Sequence, residues 1–143
     1  AHQPITGNWD GVGGDSPGTA SGVESDPEPA PGQYTVRDRN DISEVKAVGR
    51  RMMLDGGWPQ SQWSCLEALW DHESNWRWNA DNPTSTAYGI PQALPGDRMA
   101  SAGADWHDNP VTQMRWGLSY IRDRYATPCA AWSFWQAQSP HWY

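Results

Sequence analysis

Residues 61–74, SQWSCLEALWDHES, are the stretch of this chain that decides the fold. Its apolar side chains recur at the i, i+3 and i+4 positions of one helical face: Leu66, Leu69 and Trp70. This spacing predicts an amphipathic helix with Ser61 as its N-cap. The next position on the apolar face belongs to Glu73. Since burial penalises an ionised carboxylate, we expect Glu73 to have a raised pKa, which is the property that a general acid needs.

Two further helices are predicted on either side of this stretch. The first follows the D-x-x-E capping pattern of Asp41 and Glu44 and ends at 55–57, Asp-Gly-Gly. Its apolar stripe consists of Val45, Val48, Met52 and Met53. The second starts at the cap Asn109 with Pro110 in its first position. Its stripe consists of Val111, Met114, Leu118, Ile121 and Tyr125. We therefore expect three substantial helices.

The connection between the second and third helices, over 75–96, is rich in turn-forming residues. It is too long for a simple connector, which predicts a functional loop or a pair of short turns, with room for a small irregular hairpin around Tyr88. A short helix is expected over 97–102, before Gly103. No segment alternates convincingly between apolar and polar residues at period two, so the predicted fold class is all-α.

Residues 1–40 differ in composition from the rest of the chain. The first 33 residues contain seven glycines, five prolines and five acidic residues, with Trp9 as the one large apolar side chain. Such a segment cannot bury enough apolar surface to offset its ordering entropy. We therefore expect a flexible acidic tail or linker over 1–40 and a single folded domain over 41–143.

Composition and charge exclude several classes of function. The 143 residues contain 10 Lys and Arg against 17 Asp and Glu, a net charge of −7, which removes the basic footprint of a nucleic-acid binder. Apolar runs are only a few residues long, so no membrane-spanning helix is expected, and no signal peptide is visible. The 11 Trp against one Phe favour stacking on sugar rings, although about half of them could simply fill the core.

Cys65 lies in the second helix and Cys129 follows the third. Two cysteines in an acidic, Trp-rich chain predict one disulfide, which would indicate secretion. The alternative is a pair of buried thiols in a cytosolic protein. A metal site is not expected, because two separated cysteines without clustered histidines lack the usual ligand spacing.

Four segments resemble a known family when they are taken in order. They are W-x-C-L-x-x-L-W-x-x-E-S-x-W-R over 63–77, N-P-x-S-x-A-Y-G-I-P-Q-A-L-P-G over 82–96, N-P-x-T-Q-x-x-W-G-L-x-Y-I over 109–121 and P-C-x-A-W over 128–132. The pattern is similar to the secreted transglycosylase-like domains of the lysozyme superfamily in actinobacteria. These are related to soluble lytic transglycosylases and, more distantly, to resuscitation-promoting factors. The resemblance runs from about residue 44 to Tyr143 and implies a lysozyme-like fold.

The resemblance implies a role for each matched residue. The catalytic Glu of the family falls on Glu73, the same residue that the helix pattern singles out. The implied substrate-binding residues are Ser74, Tyr88, Gly89, Gln92 and Trp132. Three alternatives stay open. Glu73 could form an exposed i, i+4 ion pair with Arg77. The motif over 89–92 could be a tight turn with a structural Gln, and Trp132 could be a core residue.

The reaction implied is cleavage of the β-1,4 bond between N-acetylmuramic acid and N-acetylglucosamine in peptidoglycan. A single Glu suffices if the 6-hydroxyl of the muramic acid attacks and leaves a 1,6-anhydro end. A hydrolytic muramidase would need a second carboxylate, for which the candidates are Asp71, Asp81, Asp97, Asp105 and Asp108. A third alternative is a weakly active module that binds the wall or signals.

Four positions depart from the family pattern: Asn75, Thr86 and Ala126, where Gly is frequent or usual, and His141. None of them removes the acid, but those near the presumed cleft put substrate specificity in doubt. We expect a secreted monomer that acts on peptidoglycan glycan strands at the cell wall, with no cofactor, no metal, no nucleic-acid partner and no membrane partner.

Overall fold

Helices account for the regular secondary structure in the computed structural model, which describes residues 33–143. The α-helices are α1 (Ile42–Asp55), α2 (Trp63–Ser74), α3 (Pro110–Tyr125) and α4 (Pro128–Ala137). Short 3-10 helices cover Gln60–Gln62 and Gly96–Ala102. Within the described residues no strand forms, and around Tyr88 there are only isolated bridges to Asp81 and Ala93. The all-α prediction is therefore confirmed at the level of secondary structure.

The capping signals place α1 and α3 where the sequence predicts them. The Asp41 side chain accepts from the Glu44 amide, and the Asn109 side chain accepts from the Val111 amide. The fourth helix was not predicted. Its start carries the same signature as α3, because Thr127 caps the Ala130 amide and Pro128 occupies the first helical position.

The predicted cap of α2 is wrong. Ser61 lies inside the 3-10 turn Gln60–Gln62, and α2 begins at Trp63 with no side-chain cap. The reason is the preceding proline, since the Gln62 amide donates to the Pro59 carbonyl at 2.9 Å and closes a 3-10 turn there.

The apolar face of α2 forms the centre of the core. Leu66, Leu69 and Trp70 are fully buried, and α4 packs against the same helix. Trp76, which follows the end of the helix, is also fully buried. Its ring lies 5.1 Å from that of Trp70, and its indole donates to the Glu67 carbonyl at 3.2 Å. Trp76 is therefore a core residue.

The predicted disulfide joins α2 to α4. Cys65 and Cys129 are bonded, with their Cα atoms 4.9 Å apart and their positions separated by 64 in sequence. Closing so long a loop contributes about 4 kcal/mol by the chain-entropy relation. None of the helices over 33–143 combines the length and apolarity that crossing a bilayer requires.

The segment 33–40 contacts α1. The Tyr34 hydroxyl donates to Asp55 Oδ2 at 2.6 Å. The backbone amides of Arg37 and Asp38 donate to the Glu44 carboxylate at 2.6 and 3.0 Å. The rest of the predicted tail, including Trp9, lies outside the described residues. The boundary at residue 40 stays a prediction.

Candidate active site

Glu73 lies in the last turn of α2 and is half-buried. Its Oε2 atom accepts a hydrogen bond from the indole Nε1 of Trp135 at 2.8 Å. Because α2 ends at Ser74 and Asn75 turns the chain with φ 55, Arg77 is not on the same helix. The i, i+4 ion pair between Glu73 and Arg77 is therefore not formed.

The pKa of Glu73 is raised above its ordinary value, as its place on the apolar face predicted. The cause is burial, which disfavours the charged form. The hydrogen bond from Trp135 and the charge that His72 carries when protonated act in the opposite direction, without reversing the shift. A carboxyl group of this kind keeps its proton to higher pH than an exposed one does. It can therefore serve as a proton donor.

Trp135, which binds this carboxyl group, belongs to a group of four rings in contact with one another. We call this group the ring cluster: His72, Trp132, Trp135 and His141. The Trp132 and Trp135 rings are stacked with centroids 5.1 Å apart, and His141 stacks on Trp135 at 4.0 Å. His72 lies 5.2 Å from Trp132 and 5.1 Å from Trp135. Both Trp side chains are half-buried, while His72 and His141 are exposed. The cluster thus offers partly accessible aromatic surface next to the acid.

The sequence singled out Trp132 in this region, but the side chain that binds Glu73 is that of Trp135. Trp132 is a neighbour of Trp135 in the ring cluster. The two residues are three apart on α4 and so project from the same helical face. This i, i+3 spacing is the signal that could have found Trp135, had the fourth helix been predicted.

Ser74 is nearly inaccessible, at 4% exposure. Its hydroxyl donates to the Ile90 carbonyl at 2.7 Å and accepts from the Trp76 amide at 3.1 Å. These bonds tie the end of α2 to the loop over 75–96. Ser74 therefore positions the loop next to Glu73 rather than offering its hydroxyl to solvent.

Gln92 is likewise buried, at 4% exposure. Its Nε2 donates to the carbonyls of Ala80 and Gly89 at 2.9 and 3.0 Å. Gly89 has φ +82, and a Cβ there would lie 2.8 Å from the side chain of Gln113. The interpretation of 89–92 as a tight turn with a structural Gln therefore fits these contacts, and Gly89 is needed for close packing.

Gln113 is a residue that the sequence did not single out beyond its place in a motif. It is fully buried on α3 and accepts from the Ile90 amide at 2.9 Å through Oε1. Its Nε2 donates to the carbonyls of Trp78 and Trp106, each at 3.0 Å. One amide side chain thereby fixes three loop segments against α3.

Tyr88 belongs to a second group of rings. Its ring stacks on His107 at 4.7 Å and meets Trp106 edge-on at 6.0 Å. Its hydroxyl donates to the His107 carbonyl at 3.1 Å. The predicted substrate-binding residues thus divide, with Trp132 in the ring cluster, Ser74, Gly89 and Gln92 in the loop scaffold, and Tyr88 with Trp106 and His107.

Three of the candidate second carboxylates are engaged elsewhere. Asp71 pairs with Lys46 at 3.1 Å. Asp105 accepts from Thr112 and Asn109 at 2.6 and 2.8 Å, and these bonds lower its pKa. The third is Asp108, which binds the neighbouring His107 ring. Over residues 33–143, no group of three His, Cys, Asp or Glu side chains is arranged to hold a metal ion.

Comparisons of this chain with protein-family models, with curated proteins and with solved structures find no match.

Proposed function

We propose that this protein cleaves the glycan strands of peptidoglycan, with Glu73 as the acid and base. The bond is the β-1,4 link from N-acetylmuramic acid to N-acetylglucosamine, and the products are 1,6-anhydro ends. The observation that carries this proposal is the Glu73 carboxyl group itself. It is half-buried, has a raised pKa and accepts a hydrogen bond from Trp135, whose ring stacks with Trp132 and His141.

The proposed reaction needs one carboxyl group. Protonated Glu73 gives its proton to the glycosidic oxygen as the bond from that oxygen to C1 of the muramic acid breaks. The 6-hydroxyl of the same sugar then bonds to C1 and passes its proton to the Glu73 carboxylate. This restores the protonated acid, and no water is consumed. The rings of Trp132 and Trp135 supply flat apolar surface of the kind that sugars stack on.

The engagement of Asp71, Asp105 and Asp108 favours this route over hydrolysis. A two-carboxylate hydrolase holds its second carboxylate about 5 to 9.5 Å from the first. An Asp already paired with a Lys or hydrogen-bonded to other side chains is poorly suited to act as nucleophile or base.

We also propose a lysozyme-like fold and an extracellular location. The all-α architecture and the disulfide are consistent with both. Two positions that depart from the resembled family, Asn75 and Ala126, have positive φ values of 55 and 73. Glycine adopts that conformation readily, so its frequency at these positions in the family agrees with this backbone.

The experiment is mass spectrometry of the soluble fragments released from purified peptidoglycan. The wild type should release muropeptides with anhydro ends, which are lighter than hydrolysed ends by one water. Glu73→Gln should release none, because an amide cannot supply the proton. Glu67→Gln is the matched control, since Glu67 is on the same helix but pairs with Lys46 at 3.0 Å. It should retain activity.

The other outcomes discriminate among the alternatives. Reducing ends from the wild type would identify a hydrolytic muramidase and redirect attention to Asp81 and Asp97. No fragments from the wild type, together with sedimentation of the protein with the wall, would favour a binding or signalling module and overturn the proposed activity.

A further inference from the structure

The hydrogen bond between Trp135 and Glu73 has a defined donor and a defined acceptor. An indole nitrogen is a donor only, so Glu73 Oε2 must be the acceptor of the 2.8 Å bond. The carbonyl oxygen of a carboxylic acid is a better acceptor than its hydroxyl oxygen. When Glu73 is neutral, its proton therefore resides on Oε1, and Oε2 keeps the bond to the indole.

The donor is itself held in place by its neighbours. The Trp135 ring stacks with Trp132 and with His141. The His141 ring is fixed in turn, because its Nδ1 lies 2.8 Å from the Trp135 carbonyl and can bind that oxygen only as a donor. The disulfide from Cys65 to Cys129 joins α4 to α2, the helix that carries Glu73. An indole held in this way can fix the carboxyl group on which it acts.

We propose that Trp135 is the positioning residue of the site: its indole N–H orients the Glu73 carboxyl group and directs the exchangeable proton to Oε1. This inference rests on the proposed function for its role in catalysis, but the positioning itself does not. Trp135 acts through Glu73 and selects which carboxyl oxygen transfers the proton.

Other titratable groups face Glu73 from the neighbouring elements. His72 adjoins it on α2, and the charge of His72 when protonated favours the carboxylate. His141 stacks on Trp135, the donor of the hydrogen bond to Glu73. Tyr143 is fully buried, and both burial and the charge of Glu73 raise its pKa well above the ordinary value, so it stays neutral over the range in which Glu73 titrates. The test keeps both histidines unchanged.

The first test is an NMR titration of the Glu73 side-chain carboxyl carbon in three proteins. Trp135→Phe removes the N–H but keeps an aromatic ring. Because the bond favours the charged form, its loss should move the midpoint of the Glu73 titration upward by about one pH unit or more. Trp132→Phe is the matched control on the same helix. Trp132 stacks on Trp135, but the hydrogen bond to Glu73 comes from Trp135. The midpoint of the Glu73 titration in Trp132→Phe should therefore stay at the wild-type value.

The second test uses no variant at position 135, in case Trp135→Phe does not fold. In the wild type, the indole proton resonance of Trp135 should shift with the protonation of Glu73. In Glu73→Gln the part of this shift that coincides with the Glu73 titration should disappear. An indole resonance that does not follow Glu73 in the wild type, or a Glu73 midpoint that is the same in folded Trp135→Phe and the wild type, would overturn the proposal.

Kinetics separate this inference from the proposed function. If the wild type releases anhydro fragments, Trp135→Phe should lower kcat by about tenfold to a hundredfold, the cost of a misplaced catalytic group. The substitution should also move the alkaline limb of the kcat–pH profile to higher pH. If the wild type is inactive, the proposed function fails, yet the two titrations still decide whether Trp135 positions Glu73.

Discussion

Ala126 follows the last turn of α3 with φ 73 and ψ −40. This combination is close to the rare γ-turn conformation, which is strained for a residue with a Cβ. Its carbonyl is held by the Trp58 indole at 2.9 Å, so the backbone cannot easily relax. Ala126→Gly should raise the free energy of unfolding by about 1 kcal/mol, measured by urea denaturation. The control is Asn75→Gly, which should change it less because Asn tolerates its φ of 55. Equal effects at the two sites would contradict the argument.

Glu73 links the proposed chemistry to stability. Its pKa is raised by burial above the ordinary value of 4.5. The folded state therefore binds this proton more tightly than the unfolded state does. The resulting contribution to stability is fully present below the unfolded pKa and is lost as pH rises through the folded pKa. Stability at neutral pH is thus reduced at the position that the proposed reaction needs.

Glu73→Gln should remove this pH dependence. It should raise the free energy of unfolding at neutral pH by about 0.5 to 2 kcal/mol, the range seen when a costly functional group is replaced. At a pH of about 3, where the folded and the unfolded protein both hold the proton, the change should approach zero. Denaturant unfolding at the two pH values measures both quantities. Glu67→Gln on the same helix should show no such gain, and a stability loss in Glu73→Gln at neutral pH would refute the expectation.

At the scale of the elements, the contact between α2 and α3 depends on one glycine. A Cβ at Gly117 would lie 2.5 Å from the Trp70 ring and 3.1 Å from the Pro91 side chain. Trp70 is fully buried and cannot move aside. The two helices can therefore approach at this point only because position 117 has no side chain.

Gly117→Ala should destabilise the protein by about 1 to 3 kcal/mol through overpacking. Helix propensity alone predicts that the substitution raises the free energy of unfolding by about 1 kcal/mol. The sign of the measured change therefore decides between overpacking and helix propensity. Thermal unfolding provides the measurement. Ser119→Ala, on the same helix and half-buried, is the control and should have little effect. A stabilised Gly117→Ala protein would show that the helices are less tightly packed than the distances indicate.

The elements that could be predicted are those in which capping and periodicity agree. For α1, Asp41 precedes a regular stripe of buried residues, and for α3 the pair Asn109-Pro110 does the same. The sequence of α4 offers no single apolar stripe, because Trp132, Phe134 and Trp135 are spread around a short helix. Its local signals are confined to its start, where Thr127 is the cap and Pro128 occupies the first helical position.

The candidate site likewise contains features that are local in sequence and features that depend on packing. Glu73 could be predicted because an acid on an apolar stripe is a local property of α2. The bond to Trp135 could not, since the two residues are 62 apart in sequence and meet only through the packing of α2 on α4. The roles of Ser74 and Gln92 depended on which backbone groups lie near them, and a motif does not state that.

For the molecule as a whole, the proposed site is built from two helices that are joined covalently. Glu73 is on α2 and Trp135 is on α4, and the disulfide links the same two helices eight residues before Glu73 and six before Trp135. The bond between Cys65 and Cys129 therefore limits the separation of these helices in the unfolded chain and holds their register in the folded one.

Replacing Cys65 and Cys129 together by Ser should lower the free energy of unfolding by about 2 to 5 kcal/mol, because the unfolded chain regains the entropy of a 64-residue loop. Urea denaturation with and without reductant measures the loss. The reduced wild type should match the double variant, and reductant should not affect that variant further. If α2 and α4 stay packed in the folded variant, the Trp135 indole resonance should still follow Glu73. Loss of that coupling without loss of stability would mean that the disulfide sets the geometry of the site rather than the stability of the fold.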